Sequence, residues 1–181
     1  MRKIIPLFIS ASLCLAVAGC KSPDSVDIPD LSGDISLKGS LTCNELTASA
    51  EFTRTSGVWT IDFTSPDSIN GLSVTIGNDT VKYSLDGIEY EYPESSHKGF
   101  AAAVTLLTDC ISDAADKENV TARKSGEKLI ISGSSDNISY NLTLDADGNI
   151  TGISAGGYVF DCSGEPTEET SSAVDVGLYL K

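Results

Sequence analysis

Four apolar alternations follow one another between Trp59 and Tyr92, and they constrain the fold more than any other feature of the chain. Trp59, Ile61 and Phe63 alternate with polar or small neighbours, as do Leu72, Val74 and Ile76, then Val81, Tyr83 and Leu85, then Ile88, Tyr90 and Tyr92. A period of two places every second side chain on one face of a sheet, so each segment predicts a strand with one buried side. The breaks between them, a Ser65 to Ser68 corner, Gly77-Asn78-Asp79 and Asp86-Gly87, carry the Asn/Asp/Gly chemistry of tight turns. Pro93 ends the meander, and after a polar break the spacing predicts a helix over 98–116. In that helix Phe100, Val104, Leu107, Ile111 and Ala114 fall on one side, with Asp109, Asp113 and Asp116 elsewhere on its circumference. An apolar sheet face and an apolar helix stripe are expected to cover each other.

The same alternation continues on both sides. Asp34 to Cys43 and Leu46 to Phe52 read as two strands joined at Asn44-Glu45, and Ser56-Gly57 turns the chain into the strand of Trp59. Beyond the helix, strands are expected at Val120 to Lys124, Lys128 to Ser132, Ile138 to Leu144, Ile150 to Ser154 and Tyr158 to Cys162. The fold class is therefore mainly β: a curved, unclosed antiparallel sheet of about 10–11 strands, a half-barrel, with one lid helix. The domain spans 34–163. A tail follows over 164–181, acidic at its start, whose end alternates Val174, Val176, Leu178 and Leu180 and is read either as a free tail or as an edge strand.

Residues 1–19 are not part of that domain. Arg2 and Lys3 precede an apolar run from Ile4 to Val17, and Val17-Ala18-Gly19-Cys20 closes it with small residues. This arrangement resembles the lipobox of bacterial lipoproteins, with Val17 where Leu is usual, and the resemblance implies cleavage before Cys20 and acylation of its thiol. Palmitate-type chains would then anchor the protein to the membrane on its extracytoplasmic face, each buried CH₂ contributing about 0.8 kcal/mol. The alternatives are a non-lipidated export signal or a short transmembrane anchor, and against the anchor the apolar run is short for a span of about 20 residues. Residues 20–33, with two prolines and alternating Asp and Ser, read as the lipidated cysteine and a flexible tether. Removing 1–19 takes away two of the 12 basic residues and none of the 26 acidic ones, moving the formal charge from −14 to −16. That balance excludes nucleic acid as a partner, because phosphates demand a basic footprint.

Chemistry is sparse. Cys43, Cys110 and Cys162 match no zinc or redox spacing and leave open one disulfide with a free thiol, or three free thiols. His97, the chain's one histidine, sits in the polar break without a G-x-S-x-G elbow elsewhere. Asp145-Ala146-Asp147-Gly148-Asn149 shares part of a calcium-loop pattern but lacks its closing Glu and lies between two strands, where a hairpin turn is expected. The expectation is a protein that is not an enzyme, with no metal and no cofactor.

The stretch FTSPDSINGLSVTIGNDTVKYSLDGIEY, followed by a polar break and an apolar helix, resembles LolA-like and LppX-like bacterial lipoproteins. The positions carrying the resemblance are Phe63, Pro66, Ser68, Gly71, Leu72, Val81, Tyr83, Gly87 and Ile88. It implies an open β half-barrel around helices, with an apolar cavity for acyl chains. Two departures stand out: no long helix precedes the first strand, and Arg54 and Arg123, near strand ends, are expected outside the cavity-facing alternations. On this basis the ligand-binding residues are Trp59, Ile61, Phe63, Leu72, Val74, Ile76, Tyr83, Phe100, Val104, Leu107 and Ile111. The expected function is non-catalytic binding of a lipid or acyl chain between sheet and helix by a monomer. The alternative is a solidly packed interaction module for another envelope protein.

Overall fold

The computed structural model describes residues 26–44, 46–77, 80–93 and 100–162. Residues 1–19, expected as an export signal, Cys20, His97 and the tail 164–181 lie outside the described residues. Eleven strands and one helix follow in order. The first meander comprises β1 (Ile35–Cys43), β2 (Leu46–Thr55), β3 (Val58–Ser65), β4 (Ser73–Gly77), β5 (Thr80–Leu85) and β6 (Ile88–Pro93). The helix α1 (Phe100–Asp116) leads into the second: β7 (Thr121–Ser125), β8 (Lys128–Ser135), β9 (Ile138–Leu144), β10 (Ile150–Ala155) and β11 (Tyr158–Asp161).

All eleven form one antiparallel sheet in the order β6-β5-β4-β3-β2-β1-β11-β10-β9-β8-β7. Each meander is a run of hairpins, and their corners have the backbone that such turns require. Both central residues are left-handed at Ser56-Gly57, Asp86-Gly87, Asp136-Asn137 and Gly156-Gly157, as in the two-residue turns whose twist matches that of the flanking strands. The Asp145 corner is a turn as well. Its carboxylate accepts hydrogen bonds from the amides of Asp147 and Asn149, each at 2.9 Å, and from the Asn149 side chain at 3.1 Å. These bonds, the Asn149 side chain's foremost, hold the Asp145 carboxyl below the usual range.

The two meanders join where β1 pairs with β11, Leu41 opposite Phe160 and Cys43 opposite Tyr158. β6 and β7 are left as the sheet's two edges, so the sheet is not closed. Among consecutive strands, β6 and β7 alone are not hydrogen-bonded neighbours, and their connection carries the helix from one edge to the other. At about 1.5 Å per residue, 17 residues of helix cover roughly 25 Å of that crossing.

One apolar cluster runs along a single face of the sheet. It includes Leu37 and Leu41 from β1, Ala48, Ala50 and Phe52 from β2, Phe160 from β11, Ile153 from β10, Leu142 and Leu144 from β9 and Ile131 from β8. Phe52 and Phe160 meet with ring centroids 4.4 Å apart, linking the two meanders across β1. The helix adds Val104, Leu107, Cys110, Ile111 and Ala114 to the same cluster.

Candidate ligand-binding face

The register of β3 to β6 lines the expected ligand residues up in two rows. Trp59 stands opposite Ile76, Ile76 opposite Val81 and Val81 opposite Tyr92. In the next row Ile61, Val74, Tyr83 and Tyr90 stand side by side. Phe63 continues this face towards Ala50 on β2, and the carbonyl of Leu72, a residue half-buried just before β4, accepts the Phe63 amide at 2.9 Å. Exposure rises along the rows. Ile61, Val74 and Val81 are fully covered, Tyr83 is half-buried, and Tyr92 and Tyr90 are 47% and 59% exposed. Tyr83 and Tyr92 touch edge to face at 6.2 Å, and burial, with Tyr92 second, pushes the Tyr83 phenol pKa up. Val81 is outside the expected ligand-binding set, as are Tyr90 and Tyr92, although the sequence groups these two tyrosines with Tyr83 and Trp59 as an aromatic sugar- or lipid-contacting platform. Their alternation with Tyr83 was the signal that places them there.

The helix stripe lies elsewhere on the face. α1 packs chiefly on β8, with further contacts to β10, β9 and β11. Val104, Leu107 and Ile111 are therefore core of the second meander, fully buried, rather than a wall opposite Trp59. Phe100 opens the helix, and its side chain lies outside the described part. Burial also extends beyond the expected stripe to Ala101, Ala103, Thr105, Leu106 and Thr108, because the first three turns hold few polar residues on any side. Asp113 fastens the helix to β9 by accepting the Tyr140 hydroxyl at 2.6 Å. The Tyr140 hydroxyl also crosses Gly133 on β8, where an added Cβ would lie 2.5 Å from it.

Arg54 corrects the expectation that no arginine faces the interior. It shares the inner face of β2 with Ala50 and Phe52, stands opposite Ile35 and Trp59, and is 6% exposed. Its guanidinium lies 5.2 Å from the Trp59 ring centroid and donates to the carbonyls of Leu31 and Gly33, the latter at 2.6 and 3.1 Å. Burial lowers its pKa, with Asp34 and Asp30 opposing. These bonds hold the chain before β1 against the domain. Leu31 is buried, Lys117 Nζ donates to the Ile28 carbonyl at 2.7 Å, and a Cβ added at Gly148 in the β9–β10 turn would meet the Pro29 ring at 3.6 Å. The stretch expected as free tether is thus packed from Ile28 onward. Partners 21 and 23 residues away satisfy Arg54, and nothing in the local sequence marks them.

Cys43, Cys110 and Cys162 are all free thiols. Burial, with Asp109 and Asp113 behind it, pushes Cys110 up to about 12; burial and then Asp161 push Cys162 up to about 11. Protonated thiols of this kind are poor nucleophiles. On the opposite face of the second meander, a groove of about 260 Å³ is lined by Lys128, Asn141, Thr143, Thr151, Ser154 and Asp161 among others. Its size falls below the roughly 300–1,000 Å³ of typical ligand pockets, and its lining mixes these polar groups with Ile153, Val159 and Phe160.

No family model matches the chain, and neither does any curated protein. Among solved structures it is similar to one chain of a structure that holds the CwlD amidase from Clostridioides difficile in complex with the GerS lipoprotein. There the identity is 12% and the TM-score 0.48, over 74% of this chain and 85% of that one. It is also similar to an uncharacterized conserved protein from Thermus thermophilus, at 13% identity and TM-score 0.41, over 71% of this chain and 76% of that one.

Proposed function

We propose that this protein is a non-catalytic, lipid-anchored binding protein of the extracytoplasmic membrane face, and that the β3–β6 half of its concave face takes an apolar chain. The observation that carries the reading is the row Phe52, Ile61, Val74, Tyr83, Tyr90. It passes from fully buried to exposed with no polar residue interrupting it. Such a row offers an acyl chain continuous apolar contact and an entrance at the β6 edge, at about 25 cal/mol for each Å² of apolar surface removed from water. The resemblance to LolA-like and LppX-like carriers supports the same chemistry. The helix side serves as scaffold in this reading, since its stripe is already covered by β8–β11.

The competing reading is a solidly packed module that presents its edge to another envelope protein. The full burial of the α1 stripe favours it. Native mass spectrometry of residues 21–181, incubated with a bacterial membrane lipid extract and then separated from it, tells the two apart. A reproducible mass increment that organic extraction identifies as lipid supports the carrier. A bare protein mass, with no uptake of added fatty acid, supports the module.

A further inference from the structure

Among the described residues, five large apolar side chains are exposed: Ile88, Tyr90, Tyr92, Ile138 and Val159. Three of the five stand on one face of a single strand, β6, and β6 is an edge. An edge strand with an apolar row and free backbone groups invites pairing, and proteins ordinarily blunt such edges with charge. The other edge is blunted in that way: β7 carries Lys124 on the inner face, opposite Leu129, and Arg123 on the outer. On β6 the inner face carries no charge. Glu89 and Glu91 lie on the outer face, where Glu89 pairs with Lys82 at 2.8 Å.

We infer that the β6 edge is the docking surface for the chain's own segment Val176 to Leu180, which adds to the sheet as a twelfth, antiparallel strand. Three observations select this occupant. Direction is the first: β6 and β11 stand six places apart in an antiparallel sheet and run the same way. An antiparallel partner of β6 therefore starts at the end of the sheet where β11 delivers the chain, and no crossing is needed. Length is the second. The thirteen residues between Cys162 and Val176 reach about 45 Å when extended. The position beyond β6 lies seven strand spacings away, roughly 34 Å along the sheet.

Side-chain chemistry is the third observation, and it chooses β6 over β7. With Val176 opposite Tyr92, Leu178 opposite Tyr90 and Leu180 opposite Ile88, the tail's alternating residues complete the inner apolar face. Gly177 and Tyr179 then stand beside Glu91 and Glu89 on the outer face, and Asp175 falls beyond them. The same strand laid on β7 would put its apolar row against Lys124. The docked segment covers the exposed end of the row in which the apolar ligand was placed, and its docking does not depend on that ligand.

The test uses residues 21–181 with Tyr90→Cys and Leu178→Cys, oxidised at low protein concentration and peptide-mapped by mass spectrometry. Lys124→Cys with Leu178→Cys is the comparison. The expected result is an intrachain 90–178 disulfide in at least tenfold greater yield than the 124–178 disulfide. Equal yields, no 90–178 link, or a link found only between chains would overturn the inference. Amide hydrogen exchange provides the second reading, because Leu178→Asp alters the tail and leaves the domain core untouched. Exchange across 88–92 should accelerate about tenfold or more in that variant while Ile131 and Leu142 stay protected; unchanged exchange at 88–92 would overturn the docking. Ligand uptake enters neither measurement, so its failure and this one are told apart.

Discussion

A phenol buried among apolar side chains must find an acceptor for its hydroxyl, and Tyr140 finds Asp113 across the gap between β9 and α1. Burial first, and the hydrogen bond to Asp113 second, push the Tyr140 pKa well above its ordinary value near 10. The sign of the pH effect follows. Above about pH 10 the unfolded chain ionises this tyrosine while the native protein keeps the proton, so its contribution is whole below that pH and is lost as pH rises. Tyr140→Phe should cost about 1.5–3 kcal/mol at neutral pH, the range for a hydrogen bond to a charged group, and should flatten the alkaline limb of stability. Urea unfolding between pH 7 and 11 checks both. At this scale Gly133 was the legible clue, since glycine inside a strand often marks a close approach, here that of the Tyr140 hydroxyl. Arg54 left no clue of that kind. Its carbonyl partners sit in a segment whose composition reads as tether.

The elements themselves were largely written in the chain. Alternation at Ile35 to Cys43, Val81 to Leu85 or Ile138 to Leu144 is a local property, and the hairpin corners between such strands are local too, so their places emerge from neighbouring residues alone. The seat of the helix is not local. Its stripe predicts only that some apolar face covers it, and either meander offers one. The packing on β8–β11 decides the matter, and it changes what Leu107 does. At the wall of a cavity, truncating Leu107 would remove only about 1 kcal/mol of transfer free energy. With Leu107 fully buried against the second meander, Leu107→Ala should instead cost about 2–5 kcal/mol, and apolar-ligand uptake by the folded protein should survive. Urea titration, alongside fatty-acid binding at a temperature where the variant stays folded, checks the pair of outcomes.

For the whole molecule, the number of strands and the open sheet were legible, whereas the joint between the meanders was not. Leu41 and Phe160 meet from opposite ends of the domain, and no short-range pattern announces a pairing at that separation. The same holds for the division of the apolar face. Alternation and helical spacing make Trp59 and Leu107 equal members of one expected site, whereas the fold puts Trp59 on β3 in the first meander and packs the helix of Leu107 on the second. The proposed anchoring rests on Cys20: Cys20→Ala should abolish palmitate incorporation and release the protein from the membrane fraction, which metabolic labelling and fractionation read directly. The proposed function turns on an apolar chain lying along β3 to β6, and Trp59, the molecule's one tryptophan, stands in that half. Titration of residues 21–181 with a bromine-substituted fatty acid probes that placement, because bromine quenches indole emission on contact. Saturable quenching at about one chain per protein, reversed by the unbrominated acid, is the expected result. Emission that stays unchanged at fatty-acid concentrations that saturate a known carrier would contradict it.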